Sequence, residues 1–258
     1  MKIAVVTGAS SGIGKEFCRQ IDGAGYDEIW GLALEEDKLQ NLKEELKTNV
    51  RYFACDLTKD ESFVIYENAL KESGAEVALL INCSGYGKFG RYDEIPLEQS
   101  LNMIDLNVKG YVRMTEVTIP YMNEGSKIMQ VASVAAFQPV PYLNVYAATK
   151  AFVYSYSCAL REELKPRKIS VTTVCPYWTK TEFFNRATQT TNKVVSKYAC
   201  MYDPKNVVKK ALKDTAKGKL VSIYGGIAKA TVKFGKILST NQIMKFWVRQ
   251  QKLNKKYK

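Results

Sequence analysis

Tyr146 and Lys150 stand four residues apart, a spacing that on a helix puts both side chains on one face, one turn apart. A phenol titrates near ~10 in water, too high for efficient proton exchange at neutral pH, and an ammonium within ~4 to 6 Å favours the phenolate. The pair is a device for lowering a phenol's pKa. Alone it reads equally well as a surface tyrosine beside a solvated lysine, since the chain carries 16 tyrosines. Two further features give it context: Ser133 upstream, and the glycine-rich run Thr7-Gly8-Ala9-Ser10-Ser11-Gly12-Ile13-Gly14. The run follows the apolar stretch Lys2-Ile3-Ala4-Val5-Val6 and precedes a helical pattern from Lys15 to Ile21. Strand, glycine turn and helix is the context a dinucleotide phosphate site requires, because helix N-terminal amides carry partial positive charge and glycine lets a pyrophosphate approach the backbone. The spacing is G-x-x-x-G-x-G rather than G-x-G-x-x-G. An isolated glycine cluster would be an ordinary turn; this one, directly after the first strand, favours phosphate binding.

The elements that must hold these residues are legible as alternating patterns. Strand-like runs at Ile3 to Thr7, Glu28 to Ala33, Val50 to Cys55, Val77 to Asn82, Lys127 to Ala132, Ile169 to Val174 and Leu220 to Tyr224 are separated by helical stretches. That alternation predicts right-handed β-α-β units and a parallel sheet, an α/β doubly wound fold with helices on both faces. At 258 residues, with 46% hydrophobic and 11% aromatic residues, the chain can bury one sizeable core. No internal repeat or low-complexity segment is present. There is no histidine, which excludes an imidazole base and with it Ser-His-Asp hydrolysis, leaving Tyr/Lys proton exchange as the coherent acid-base chemistry.

From Lys2 to about Thr181 the chain resembles the short-chain dehydrogenase/reductase family. T-G-x-x-x-G-x-G is Thr7 to Gly14; Asp56-Leu57 resembles the family's adenine-contacting aspartate; Asn82-Cys83-Ser84-Gly85 stands where the family has N-N-A-G; Asn107 sits in Leu106-Asn107-Val108-Lys109-Gly110; Ser133 follows the fifth strand; Tyr146 and Lys150 complete a tetrad. The resemblance implies a Rossmann-type domain over residues 1–225 and an NAD(P)-dependent interconversion of ketone and secondary alcohol, with a hydroxysteroid-dehydrogenase-like subclass leading. It gives Tyr146 the role of proton donor, or base in the oxidising direction, and Ser133 that of a hydrogen-bond donor to the carbonyl. Lys150 would lower the Tyr146 pKa and bind the nicotinamide ribose, and Asn107 would position a proton-relaying water. Gly8, Ser10, Ser11, Gly12, Ile13, Gly14, Asp56, Leu57, Asn82, Pro176, Thr179 and Thr181 are the implied cofactor contacts, with Tyr146 and Lys150. Singly, Asn107 reads as a helix-kink asparagine and Ser133 as a strand-end cap.

Departures from the family pattern bear on specificity. Ala33 and Leu34 stand where NAD-preferring relatives often carry Asp and NADP-preferring ones Arg. Room beside Ala33 and the Ser11 hydroxyl lean slightly to NADP(H) over NAD(H), while Glu35 and Glu36 would repel a 2′-phosphate unless they point away. Pro176-Tyr177-Trp178-Thr179-Lys180-Thr181 replaces the family's P-G-x-x-x-T. Tyr177 and Trp178, with Phe183 and Phe184, suggest an aromatic mouth for a small lipophilic carbonyl or alcohol such as a steroid, bile acid or long-chain acyl carbonyl. They serve equally as a cover for the core under a loop.

The six dispersed cysteines lack any C-x-x-C and read as buried thiols rather than disulfides or a metal site. With the first strand starting at residue 2 and no apolar run of ~18 residues, a cytoplasmic protein is expected, with peripheral membrane contact as an option. That option comes from the tail. Residues 205–258 hold fifteen Lys/Arg against Asp214 alone, net +14, while the rest of the chain is net −2. Residues 226–258 are expected as a basic helical extension in which Ile243, Met244, Trp247 and Val248 share one face and Lys245, Arg249, Lys252 and Lys256 the other. Such a helix either docks on the body with its charges solvated or lies on an anionic membrane; no nucleic-acid motif accompanies the charge. A homo-oligomer, dimer or tetramer, is the expected assembly by resemblance. A dinucleotide-sensing regulator and a lipid-surface protein acting through its tail are the other function classes.

Overall fold

The computed structural model describes residues 1–190 and 194–253. Seven parallel strands form one sheet in the order β3-β2-β1-β4-β5-β6-β7. They are β1 Lys2–Thr7, β2 Glu28–Ala33, β3 Asn49–Ala54, β4 Glu76–Asn82, β5 Lys127–Val131, β6 Ser170–Val174 and β7 Val221–Ser222. The central strands are apolar almost without a break: every residue of β1 after Lys2 is buried. A sheet covered on both faces demands such a run. Alternate β1 residues serve opposite cores, Ile3 and Val5 packing with Phe63, Tyr66 and Leu70, and Ala4 and Val6 with Phe17, Ile21 and Leu39. The doubly wound architecture read from the alternation is the fold observed. β7 is shorter than the run Leu220 to Tyr224 suggested, because it pairs with β6 only at Thr173 and Val174 before Gly225, at φ +95°, turns the chain away.

The helices are α1 Gly12–Ile21, α2 Glu36–Glu45, α3 Asp60–Ser73, α4 Leu97–Ile104, α5 Tyr111–Thr118, α6 Asn144–Glu163, α7 Phe183–Ala187, α8 Pro204–Ala216, α9 Gly226–Gly235 and α10 Thr240–Gln250. A π-helical turn, Asp105–Gly110, joins α4 to α5. The winding direction reverses between β1 and β4, so the carboxyl ends of the strands open a crevice at that switch point, where ligands of open α/β sheets bind.

The tail closes one end of this crevice. A capping box at Ser239 and Gln242 starts α10, satisfying two helix-end amides. Ile243 and Trp247 are buried, Met244 and Val248 half-buried, and Lys245, Arg249 and Lys252 exposed; Lys256 lies outside the described residues. The Trp247 indole Nε1 donates to the Pro141 carbonyl (2.9 Å) and its ring lies 6.3 Å from Trp178 at an interplanar angle of 26°. The Gln251 amide ties down the preceding loop, accepting from the Ser196 and Lys197 N–H groups and donating to the Lys197 carbonyl. No described helix is long and apolar enough to cross a membrane.

Candidate active site

The crevice is a cleft of about 1050 Å³. Its floor is the turn between β1 and α1. Gly8 and Gly12 sit at φ +67° and +53°, and a Cβ on Gly14 would lie 2.1 Å from the Gly8 carbonyl oxygen. Glycine at these points is therefore a requirement of the turn and of the close seating of α1 on it. Ser11 occupies the N-cap of α1 without a side-chain cap, which leaves the first-turn amides facing the cleft as donors for an anion. Further along the wall, Asp56 Oδ1 accepts from the Thr58 N–H (2.9 Å) and hydroxyl (2.8 Å), a local turn that fixes the carboxylate at the end of β3. A glycine cradle, an uncapped helix N-terminus and a fixed carboxylate are the donor and acceptor set a dinucleotide needs, and the residues present fit it.

Gly8, Ser10, Ser11, Gly12, Ile13, Gly14, Asp56, Leu57, Ser133, Tyr146, Lys150, Pro176, Thr179 and Thr181 all line this one cleft. Asn82 and Asn107 stand behind it. Asn82 Nδ2 donates to Thr115 Oγ1 (2.9 Å) and Gln130 Oε1 (3.1 Å), bracing the end of β4. Asn107, fully buried in the π-turn, accepts from the Tyr86 N–H (3.1 Å) through Oδ1 and donates through Nδ2 to the Tyr86 carbonyl (2.9 Å) and Thr149 Oγ1 (3.1 Å). Its amide thus clamps the loop after β4 rather than reaching into the cleft. π-turns of this kind recur at functional sites.

α6 carries Tyr146 and Lys150 on its cleft face, as their spacing requires. Ser133, at the end of β5, accepts from the Ala135 N–H (3.1 Å) and so caps a short 3₁₀ turn. Burial pushes the Tyr146 phenol up to about 12, with a Ser133 hydrogen bond pulling the other way. Lys150 lies 5.8 Å from the Tyr146 ring centroid, donates to the Val131 carbonyl (2.9 Å) and is pushed down to about 8 by burial. The lowering of Tyr146 expected from Lys150 is not what dominates in this structure: burial sets the direction, and the opposing pull comes from Ser133. At neutral pH the phenol is protonated, the form that donates.

The other end of the cleft is aromatic. Phe183 packs on Tyr146 (centroids 5.5 Å), Trp178 on Phe184 (6.0 Å) and on Phe89 (6.1 Å). Trp178, Phe183 and Phe184 line the cleft while packing with one buried cluster, and Tyr177 lines it while packing with another around Val134 and Val232, so these rings both face the cleft and cover the core. Phe234, Phe246 and Trp247 add the outer rim. Two participants carried no sequence signal: Tyr111, which shares the Val131 carbonyl with Lys150, and Thr149, which receives Asn107. The Trp247 wall was visible only as an apolar position on an amphipathic helix.

Residues 2–192 match the family model for the short chain dehydrogenases. The chain belongs to that family. It is an NAD(P)-dependent oxidoreductase of the short-chain dehydrogenase type. Among its relatives, the very-long-chain 3-oxoacyl-CoA reductase of Rattus norvegicus is 35% identical over 189 residues, covering 69% of this chain and 60% of its own. A probable NADP-dependent dehydrogenase of Haemophilus influenzae is 35% identical over 177 residues, 67% of this chain and 69% of that one. A short-chain dehydrogenase from Sphingobium yanoikuyae, solved in complex with NADPH, superposes with a TM-score of 0.77 at 26% identity over 92% of this chain and 93% of its own.

Proposed function

We propose that this short-chain dehydrogenase interconverts a large apolar ketone and its secondary alcohol, with Tyr146 as the proton donor. The observation that carries the reading is that Ser133, Tyr146 and Lys150 face the same cleft as the glycine turn, at the border between its polar and aromatic ends. The glycine turn, the first-turn amides of α1 and Asp56 would hold a nicotinamide dinucleotide, which would supply or take the hydride. The chain's residues do the rest. The Ser133 hydroxyl and the Tyr146 phenol offer two donors to one carbonyl oxygen, and the Tyr146 proton passes to that oxygen as it gains negative charge. Lys150 holds a cation beside the phenolate that remains. Asn107 acts as a positioning residue through the Tyr86 loop. In the alcohol-oxidising direction the same groups run in reverse.

For the cofactor, the Ser10 hydroxyl donates to Glu35 Oε2 (2.8 Å), and both residues line the cleft beside Ala33 and Leu34. Glu35 thus points toward the site rather than away. A carboxylate there accepts from a ribose hydroxyl and repels a 2′-phosphate, which supports NAD(H) over NADP(H) and reverses the slight lean drawn from the sequence. For assembly, α4 and α6 leave Leu97, Leu101, Ile104 and Phe152 exposed, a face suited to a homo-oligomer.

A panel of ketones with NADH and NADPH tests the substrate class: a polycyclic ketone and a long-chain 3-oxoacyl thioester against acetone and a ketose. Each buried methylene is worth about 0.8 kcal/mol, roughly fourfold, so kcat/KM should climb with apolar size by well over tenfold. A preference for the ketose would overturn the reading.

A further inference from the structure

The cleft opens beneath a pair of helices whose outer surface carries a second message. Across the end of α9, the connecting turn and α10, Phe234 (62% exposed), Ile237 (70%) and Phe246 (67%) project into solvent. Leu238 joins them, and Phe234, Leu238 and Phe246 line the cleft as well. Backbone bonds from the Ile237 and Leu238 N–H groups to the Phe234 carbonyl hold the turn together. Single exposed apolar side chains need no explanation, but a group this large around one opening marks a contact surface.

The charges on the same element identify the partner. Lys229, Lys233, Lys236, Lys245, Arg249 and Lys252 are all exposed, and none forms an ion pair among the described residues, where the bridges involve other cations. Asp214 is the last acid in the chain, so nothing in these helices offsets them. A second copy docked face to face would bring these cations against one another, and a nucleic acid offers no apolar phase for the aliphatic Ile237 and Leu238. An anionic bilayer surface takes both, with apolar side chains entering below the headgroups and long basic side chains reaching the phosphates.

We infer that the α9–α10 hairpin is a peripheral docking surface for anionic lipid membrane, and that docking sets the cleft mouth against the bilayer. The apolar rim then opens onto the phase in which an apolar ketone accumulates. The docking itself is independent of the proposed reaction; only the advantage of the mouth's placement rests on that reading.

Vesicle sedimentation separates the two. Wild-type protein is mixed at low salt with phosphatidylcholine vesicles, with or without phosphatidylserine, and compared with Ile237→Ser and with a fourfold Lys233→Gln, Lys236→Gln, Lys245→Gln, Arg249→Gln variant. None of these five residues lines the cleft. NADH fluorescence titration of each protein reports an intact fold. The expected result is binding to phosphatidylserine vesicles alone, falling as salt rises because such attractions decay over ~8 Å at physiological ionic strength, and falling at least tenfold in both variants with NADH binding retained. No sedimentation at low salt, equal binding to neutral vesicles, or full binding by the fourfold variant would overturn the inference. So would a wild-type dimer in analytical ultracentrifugation that Ile237→Ser dissociates, which would assign the surface to a second copy. Failure of the ketone panel with vesicle binding intact would instead remove only the proposed reaction.

Discussion

Replacing Glu35 by Gln keeps the side chain's shape and its capacity to accept from Ser10, and removes one negative charge from the cleft wall. The Glu35 side chain is 50% exposed, so the water-like limit applies, in which two unit charges ~4 Å apart interact by about 1 kcal/mol. A phosphate ester carries nearly two charges at neutral pH, giving about 2 kcal/mol of repulsion, or ~30-fold in affinity. Lys38, 4.0 Å from Glu35, and dissolved salt reduce this to about tenfold. Fluorescence titrations of wild type and variant with NADH and NADPH give the four dissociation constants. The ratio of NADPH to NADH constants should fall about tenfold in Glu35→Gln. Glu36→Gln, which alters an exposed residue outside the cleft, should leave it unchanged. If the ratio in Glu35→Gln stays within twofold of wild type, Glu35 does not face the ribose and the placement of the Ser10–Glu35 bond beside it is refuted.

Other parts of the structure make equally specific demands. Trp247→Ala removes a buried indole, its bond to Pro141 and its contact with Trp178, a loss of about 3 to 5 kcal/mol for such truncations. Hydrogen exchange should show α10 opening and KM for a bulky ketone should rise several-fold with NADH affinity unchanged; an unaltered KM would show that α10 is no part of the substrate wall. At Asp214, burial alone would raise the carboxyl, but hydrogen bonds from Lys210, Lys219 and Ser222 bring it down to about 2. A folded-state value below the ordinary one stabilises the protein fully above about pH 4 and loses that contribution as pH falls through 2. Asp214→Asn should cost about 2 kcal/mol in urea unfolding at pH 7, with the gap to wild type closing near pH 2; a gap constant with pH would show that the charge is not the cause.

What could be read from the chain, and what could not, follows the range of the interactions. The glycine turn and the Tyr146/Lys150 face are set by spacings of a few residues, and both stand in the structure as the periodicity demanded. The fold was legible because β1, β2 and β4 are apolar runs separated by helical patterns. The destinations of Asn82 and Asn107 were not, since each is fixed by partners such as Gln130 and Thr149 that lie far along the chain. Trp247 meets a carbonyl 106 residues away, and no local pattern announces that contact. The balance at Tyr146 was missed for a physical reason as well: spacing reveals a neighbouring ammonium, but only packing reveals how much water both groups have lost.

The account turns on Tyr146 as the proton donor, and single-turnover oxidation of bound NADH by the best ketone of the panel measures this most directly. Tyr146→Phe keeps the ring against Phe183 and removes only the hydroxyl, and positioned acid-base groups contribute about 10² to 10⁴-fold to rate. The account predicts a fall of at least ~10²-fold in the variant with NADH affinity within twofold of wild type. A single-turnover rate near that of wild type would contradict it.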